Sequence, residues 1–138
     1  MRISRVMKGF AVGLLGIAMA GCSKSPGTTP IGPGGDDIQG IHSSYKTAMA
    51  KLGRAPKSMD ELKPFLEAST KKNVNLTSPN DGMPYGIVWG GKPKSNYPIV
   101  YEQKGTNGKR WVINAMGWPQ QVTDAEFAEF KFPPSHKL

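Results

Sequence analysis

Apolar positions fall into three regimes along the chain. From Phe10 to Ala20 they are continuous, a run of 11 residues behind the cations Arg2, Arg5 and Lys8. Over residues 38–52 they recur at Ile38, Ile41, Tyr45, Ala48, Met49 and Leu52, the spacing of one stripe along an α-helix. Over 85–116 the period shortens toward two, in runs 85–89, 99–103 and 110–116 that are rich in β-branched and aromatic residues. This pattern predicts an α+β domain, with an N-terminal amphipathic helix packed on a small antiparallel meander of three to four strands and short extra helices around it.

Polar punctuation sets the expected boundaries. Asp36 or Asp37 is placed to cap the first helix and Gly53 to end it. Ser58 and Glu61 have capping-box spacing and open a second helix with Leu62, Phe65 and Leu66 on its buried side, cut short by Pro64. Residues 79–84 are dense in turn formers, and Asn107-Gly108 is a hairpin signal between the second and third strand runs. Alternation puts Tyr85, Ile87 and Trp89 on one face, Ile99 with Tyr101 and Gln103 on another, and Trp111, Ile113 and Ala115 opposite Val112 and Asn114. Gln120, Gln121 and Val122 suit a short edge strand. Thr123 and Glu126 form a second capping box before a helix carrying Phe127 and Phe130, and 133–138 is expected as a disordered tail.

The apolar run near the start is well short of the ~20 residues that cross a bilayer as a helix. Its order, basic then apolar then small residues, is that of an export signal, residues 1–21. Met19-Ala20-Gly21-Cys22 resembles the lipobox of bacterial lipoproteins. The resemblance implies cleavage before Cys22, a diacylglycerol on its thiol and attachment to a membrane facing the periplasm or the cell surface. Ser23 stands where an inner-membrane-retained lipoprotein commonly has Asp, which favours the outer membrane. An uncleaved anchor is disfavoured by length and by Gly9, Gly13, Gly16 and Gly21; a secreted protein cut after Ala20 would leave Cys22 as a lone thiol.

Loss of the signal leaves 117 residues, enough for one domain, and takes the formal charge from +8 to +5. Residues 22–37 read as the lipidated Cys and a flexible Pro/Gly linker, and 38–132 as a single domain. No cysteine follows Cys22, so the domain must hold together by its core alone. The basic residues are scattered, which points to a solvated surface and away from nucleic acid.

Three phrases carry a second resemblance: Gly53-Arg54-Ala55-Pro56, Ser78-Pro79-Asn80-Asp81-Gly82-Met83-Pro84-Tyr85, and Asn114-Ala115-Met116-Gly117 followed by Val122-Thr123 and Glu126-Phe127. Over residues 38–130 they resemble the globular heads of type II secretion pseudopilins and related prepilin-like proteins. The family implies a long helix on a small meander and envelope or secretion-system proteins as partners. The pseudopilin N-terminal filament helix is replaced here by the lipobox and linker, and Met116 stands where the family has Asp. Some pseudopilins hold calcium; here Asn80 and Asp81 suit an Asx turn better than a cation site.

Nothing in the chain forms a catalytic set. His42, Ser43 and Ser44 are neighbours on a helix and point apart, and Asp60/Glu61 and Asp124/Glu126 suit helix N-termini. No metal cluster or cofactor motif is present in the sequence. Trp89, Tyr97, Tyr101, Trp111 and Trp118 form the candidate binding surface, with core filling as the competing use. The expectation is a lipid-anchored, non-catalytic envelope lipoprotein with a structural or protein-interaction role through the sheet edge and loop 90–98. A peptidoglycan- or other cell-wall glycan-binding lipoprotein is the alternative, and a hydrolase using His42 a further one.

Overall fold

A computed structural model of the chain describes residues 31–69 and 74–138. The signal, with Met19, Ala20 and Gly21, the acylation candidate Cys22 and the linker to Pro30 lie outside the described residues. The domain is α+β. Helix α1, Gly35–Leu52, packs beside α2, Met59–Glu67, on one face of a four-stranded antiparallel meander. The strands are β1, Gly86–Ile87; β2, Pro98–Tyr101; β3, Lys109–Asn114; and β4, Pro119–Thr123, neighbouring one another in chain order. Helix α3, Asp124–Ala128, follows β4 directly. No helix among the described residues is long and apolar enough to cross a membrane.

Helix α1 begins earlier than the acidic pair suggests. Gly34 precedes its first turn with φ 93° and no side chain caps it, so neither Asp36 nor Asp37 is the cap. Both lie inside the first turn, where carboxylates complement the helix dipole. Asp37 instead accepts from the Asn75 N–H at 3.2 Å and the Tyr85 hydroxyl at 3.4 Å. Gly34 and Gly35 are buried, so the expected linker already belongs to the folded body at this point. Ile38, Ile41, Tyr45 and Ala48 form the buried stripe, while Leu52 is 40% exposed and falls outside it. Gly53, φ 69°, ends the helix in the left-handed conformation that glycine allows.

Two features of α2 depart from expectation. Pro64 lies inside the helix, which continues to Glu67; Ala68 N–H still donates to the Pro64 carbonyl at 3.1 Å. Ser58 Oγ accepts from Glu61 N–H at 3.4 Å, but the Glu61 carboxyl takes the Lys57 N–H at 2.9 Å and the Arg54 guanidinium at 2.8 and 2.9 Å. Ser58 is therefore a cap without the reciprocal half of the box. The true box is at α3, where Thr123 and Glu126 satisfy each other's backbone N–H groups.

The hairpin between β2 and β3 turns at Asn107, φ 55°, and Gly108, φ 69°, with Thr106 and Lys109 exchanging bonds of 2.9 and 3.1 Å. The β2–β3 register shifts between Pro98 and Val100. An added residue reverses the alternation. As a result Ile99 and Tyr101 do not share a face: Ile99 and Val100 join the core under α1, and Tyr101 joins a second core on the opposite side. That first core also holds Ile38, Ile41, Tyr45, Leu62, Tyr85, Ile87 and Ile113.

The second core is made of Val88, Tyr101, Val112, Val122 and Phe127, with Phe130 and Phe132 at its margin. Its cover includes the segment expected as a disordered tail. His136 Nε2 is 2.8 Å from the Tyr101 hydroxyl, and the His136 ring stacks on Phe132 at 5.1 Å. The sheet therefore has α1 and α2 on one side, and α3 with the aromatic C-terminal chain on the other.

Candidate functional site

The turn at 78–84 is the most densely bonded polar feature of the fold. Gly82 N–H donates to the Ser78 carbonyl and Ser78 N–H to the Met83 carbonyl, both at 2.9 Å. Asp81 Oδ1 accepts from Met83 N–H at 2.9 Å, and Oδ2 from the N–H groups of Lys104 and Gly105 at 2.9 and 2.8 Å. This is an Asx turn that also grips the β2–β3 hairpin. Burial opposes ionisation of Asp81, but the N–H groups of Gly105, Met83 and Lys104 together hold its carboxyl below the usual range. Thr106 Oγ1 donates to the Asn80 carbonyl at 2.8 Å, closing the contact.

Glu102 sits behind that turn, only 1% exposed. Its Oε1 accepts from Ser78 Oγ at 2.6 Å and Asn80 Nδ2 at 2.7 Å, and its Oε2 from Trp111 N–H at 2.8 Å. Asn80 Nδ2 also donates to the Pro33 carbonyl at 3.0 Å, tying the residues before α1 to the same network. A carboxyl between Tyr101 and Gln103 in a β-rich run gave no sequence signal of this role. Only the fold brings Ser78 and Asn80 to it.

Beside this network lies an open cleft of about 610 Å³, lined by Asn80, Thr106, Lys109, Trp111 and Gln121, with Glu102 at its base and Gly32 and Pro33 at its side. The volume is in the range of small-molecule sites. A methyl group on Gly35 would come within 3.3 Å of the Trp111 ring, so the glycine run before α1 lies directly on the indole.

The five aromatics of the predicted surface do not come together. Trp89 is half-buried against the first core, and Tyr101 is buried in the second, 5.1 Å from Phe127. Trp111 belongs to the cleft. Tyr97, under the Lys94 ammonium at 5.5 Å, and Trp118, 70% exposed, lie at the end of the sheet where loop 90–98 and the β3–β4 turn meet. Met116, 63% exposed, joins Trp118 in that turn. Sequence reasoning missed Met116 as a surface residue because it continued the strand run.

The turn is firmly held. Gly117 N–H donates to the Asn114 carbonyl and Met116 N–H to Asn114 Oδ1, each at 3.0 Å. Gly117, φ 87°, rests on the His42 ring, whose Cε1 would be 3.0 Å from a Cβ there. His42 is 4% exposed, and burial pushes its pKa down, with Lys46 adding to the effect and a bond to the Ala115 carbonyl opposing it. Ser43 Oγ donates to the Gln39 carbonyl at 2.9 Å, and Ser44 Oγ is buried without a partner among the described residues. His42 and Ser44 are buried in the fold, whereas Ser43 is exposed and bonded within its own helix. Among the described residues no three His, Cys, Asp or Glu side chains converge as metal ligands would.

Comparison with protein-family models, with curated proteins and with solved structures finds no match to this chain. What the described residues define is a class: a small α+β domain with a polar-stapled turn, an open cleft beside it and a hydrogen-bonded turn that exposes Met116 and Trp118.

Proposed function

We propose that this chain is a lipid-anchored, non-catalytic protein of the bacterial envelope that acts by contact, with a head resembling those of pseudopilins. The observation that carries the contact role is the pair Met116 and Trp118, exposed on a turn whose backbone is fixed by Asn114 and His42. Two large apolar side chains set side by side in one hydrogen-bonded turn offer another body a contact point at fixed geometry. The anchoring part rests on Met19-Ala20-Gly21-Cys22.

Fatty-acid labelling in cells, with Cys22→Ser as control, tests the anchor. Incorporation that is lost in the variant supports it, and an intact signal or a bare thiol on mass spectrometry overturns it. Site-specific photocrosslinking from position 118, compared with the exposed position Lys63 on α2, tests the contact. Equal yields from the two positions would remove the turn from the account.

The cleft at Trp111 supports a second reading, binding of cell-wall glycan, since an indole beside amide, hydroxyl and ammonium groups suits a sugar. Sedimentation with purified peptidoglycan, weakened by Gln121→Ala, is the matching experiment; equal retention of the variant argues against the cleft. A hydrolase has the least support, because His42 is packed against Gly117 and Ser43 is bonded within its own helix.

A further inference from the structure

We propose that the Met116–Trp118 turn is a contact tip for an anionic lipid leaflet, which makes the protein's attachment two-point: acyl chains at Cys22 and an indole at the far end of the head. This deepens the anchored reading and rests on it. The two exposed side chains are a methionine and a tryptophan, and tryptophan is the residue whose ring settles at headgroup depth. Two side chains make too small a patch for a protein interface, which needs roughly 800 Å² from each partner, whereas a shallow tip needs no more.

Charge selects the kind of leaflet. Lys46 lies one helical turn beyond His42, close enough to depress its pKa, and His42 touches Gly117. Lys92 and Lys94 are exposed in loop 90–98, at the same end of the sheet because Pro98 pairs with Asn114. Glu61, toward the α1 C-terminus, is occupied by Arg54, while Glu126 and Glu129 lie beside Asn96 on the α3 side. Lys46, Lys92 and Lys94 thus stand exposed toward the end of the sheet that carries the tip, with the exposed Glu126 and Glu129 confined to the α3 side of the loop, and ammonium groups so placed are what anionic headgroups attract.

Reach is sufficient. The described chain begins at Ile31, next to the glycine run that lies on Trp111, toward the opposite end of β3 from the tip. The stretch from Cys22 to Ile31 spans at most about 30 Å. That length lets the head lie along the bilayer with both points on one leaflet.

The test uses the acylated protein purified from membranes and reconstituted into phosphatidylcholine vesicles with or without phosphatidylglycerol, each containing lipid brominated on its acyl chains. Tryptophan quenching is expected in the anionic vesicles, removed by Trp118→Phe and reduced severalfold in extent by Lys46→Glu with Lys94→Glu. No quenching in either vesicle, or quenching that survives Trp118→Phe, overturns the tip, as does a strong protein crosslink from position 118 with the indole unquenched. The intact mass of the same preparation reads Cys22 separately. If the thiol is bare, the anchor fails on its own, and cosedimentation of that protein with anionic vesicles, lost in Trp118→Ser, still decides the tip.

Discussion

Just past the end of β2, Glu102 faces Trp111 of β3 with a side chain doing the work of a backbone carbonyl: Glu102 N–H donates to the Trp111 carbonyl at 2.9 Å, and Trp111 N–H returns to Glu102 Oε2 at 2.8 Å. The other carboxyl oxygen holds Ser78 and Asn80, so one residue joins the hairpin to the turn at 78–84.

Removing that carboxyl leaves three donors without their acceptor. Glu102→Ala is expected to cost about 2–4 kcal/mol, read as a lowered urea midpoint, while Glu102→Gln keeps the shape and loses part of it. A change below about 0.5 kcal/mol for the alanine variant would mean the network contributes nothing net.

Gly86 pairs with Tyr101, and a methyl group on it would collide with the Tyr101 ring. Gly86→Ala is expected to destabilise by about 1–3 kcal/mol, with altered near-ultraviolet circular dichroism as the second core is displaced. Gly34→Ala should be at least as damaging, because φ is 93° there and the new carbon would press on Asn80 and Glu102.

His42 and His136 both have pKa values pushed down, chiefly by burial. In the unfolded chain each returns to about 6.5. Between that value and the lower folded one the unfolded state binds more protons. Stability is therefore full above about pH 6.5 and falls as the pH drops toward 5. Denaturant titrations at pH 7.5 and 5.5 should show this, and His42→Gln should flatten the difference. Asp81 works in a lower window: its depressed pKa contributes stability above about pH 4 that is lost in stronger acid.

Trp118→Ser is expected to change stability by less than about 0.5 kcal/mol, since the side chain is 70% exposed. Thr123→Ala, by contrast, removes one half of the α3 box and should cost about 1 kcal/mol. Parallel thermal melts check both, and the contrast separates a residue kept for contact from one kept for folding.

Local chemistry was legible in the sequence where it was self-contained. The stripe from Ile38 to Ala48, the Asn107-Gly108 turn and the Thr123–Glu126 box each depend on residues within a few positions of one another. The features that escaped depend on distant partners. Glu102 acquires its role from Ser78 and Asn80, the start of α1 is set by Gly34 fitting against Glu102 and Trp111, and the bulge after Pro98 undoes an alternation that held elsewhere. The same bulge sends Tyr101 to the second core, which parts it from Trp111 and Trp118.

The closure of His136 over Tyr101 has a practical corollary for anyone handling the protein. A carboxypeptidase nibbling past Phe132 would strip the roof from the rings of Tyr101 and Phe127 and leave apolar surface open to solvent. Purification handles therefore belong beyond Leu138 on a spacer, and a truncated product in a preparation should announce itself by clumping before it shows on a gel.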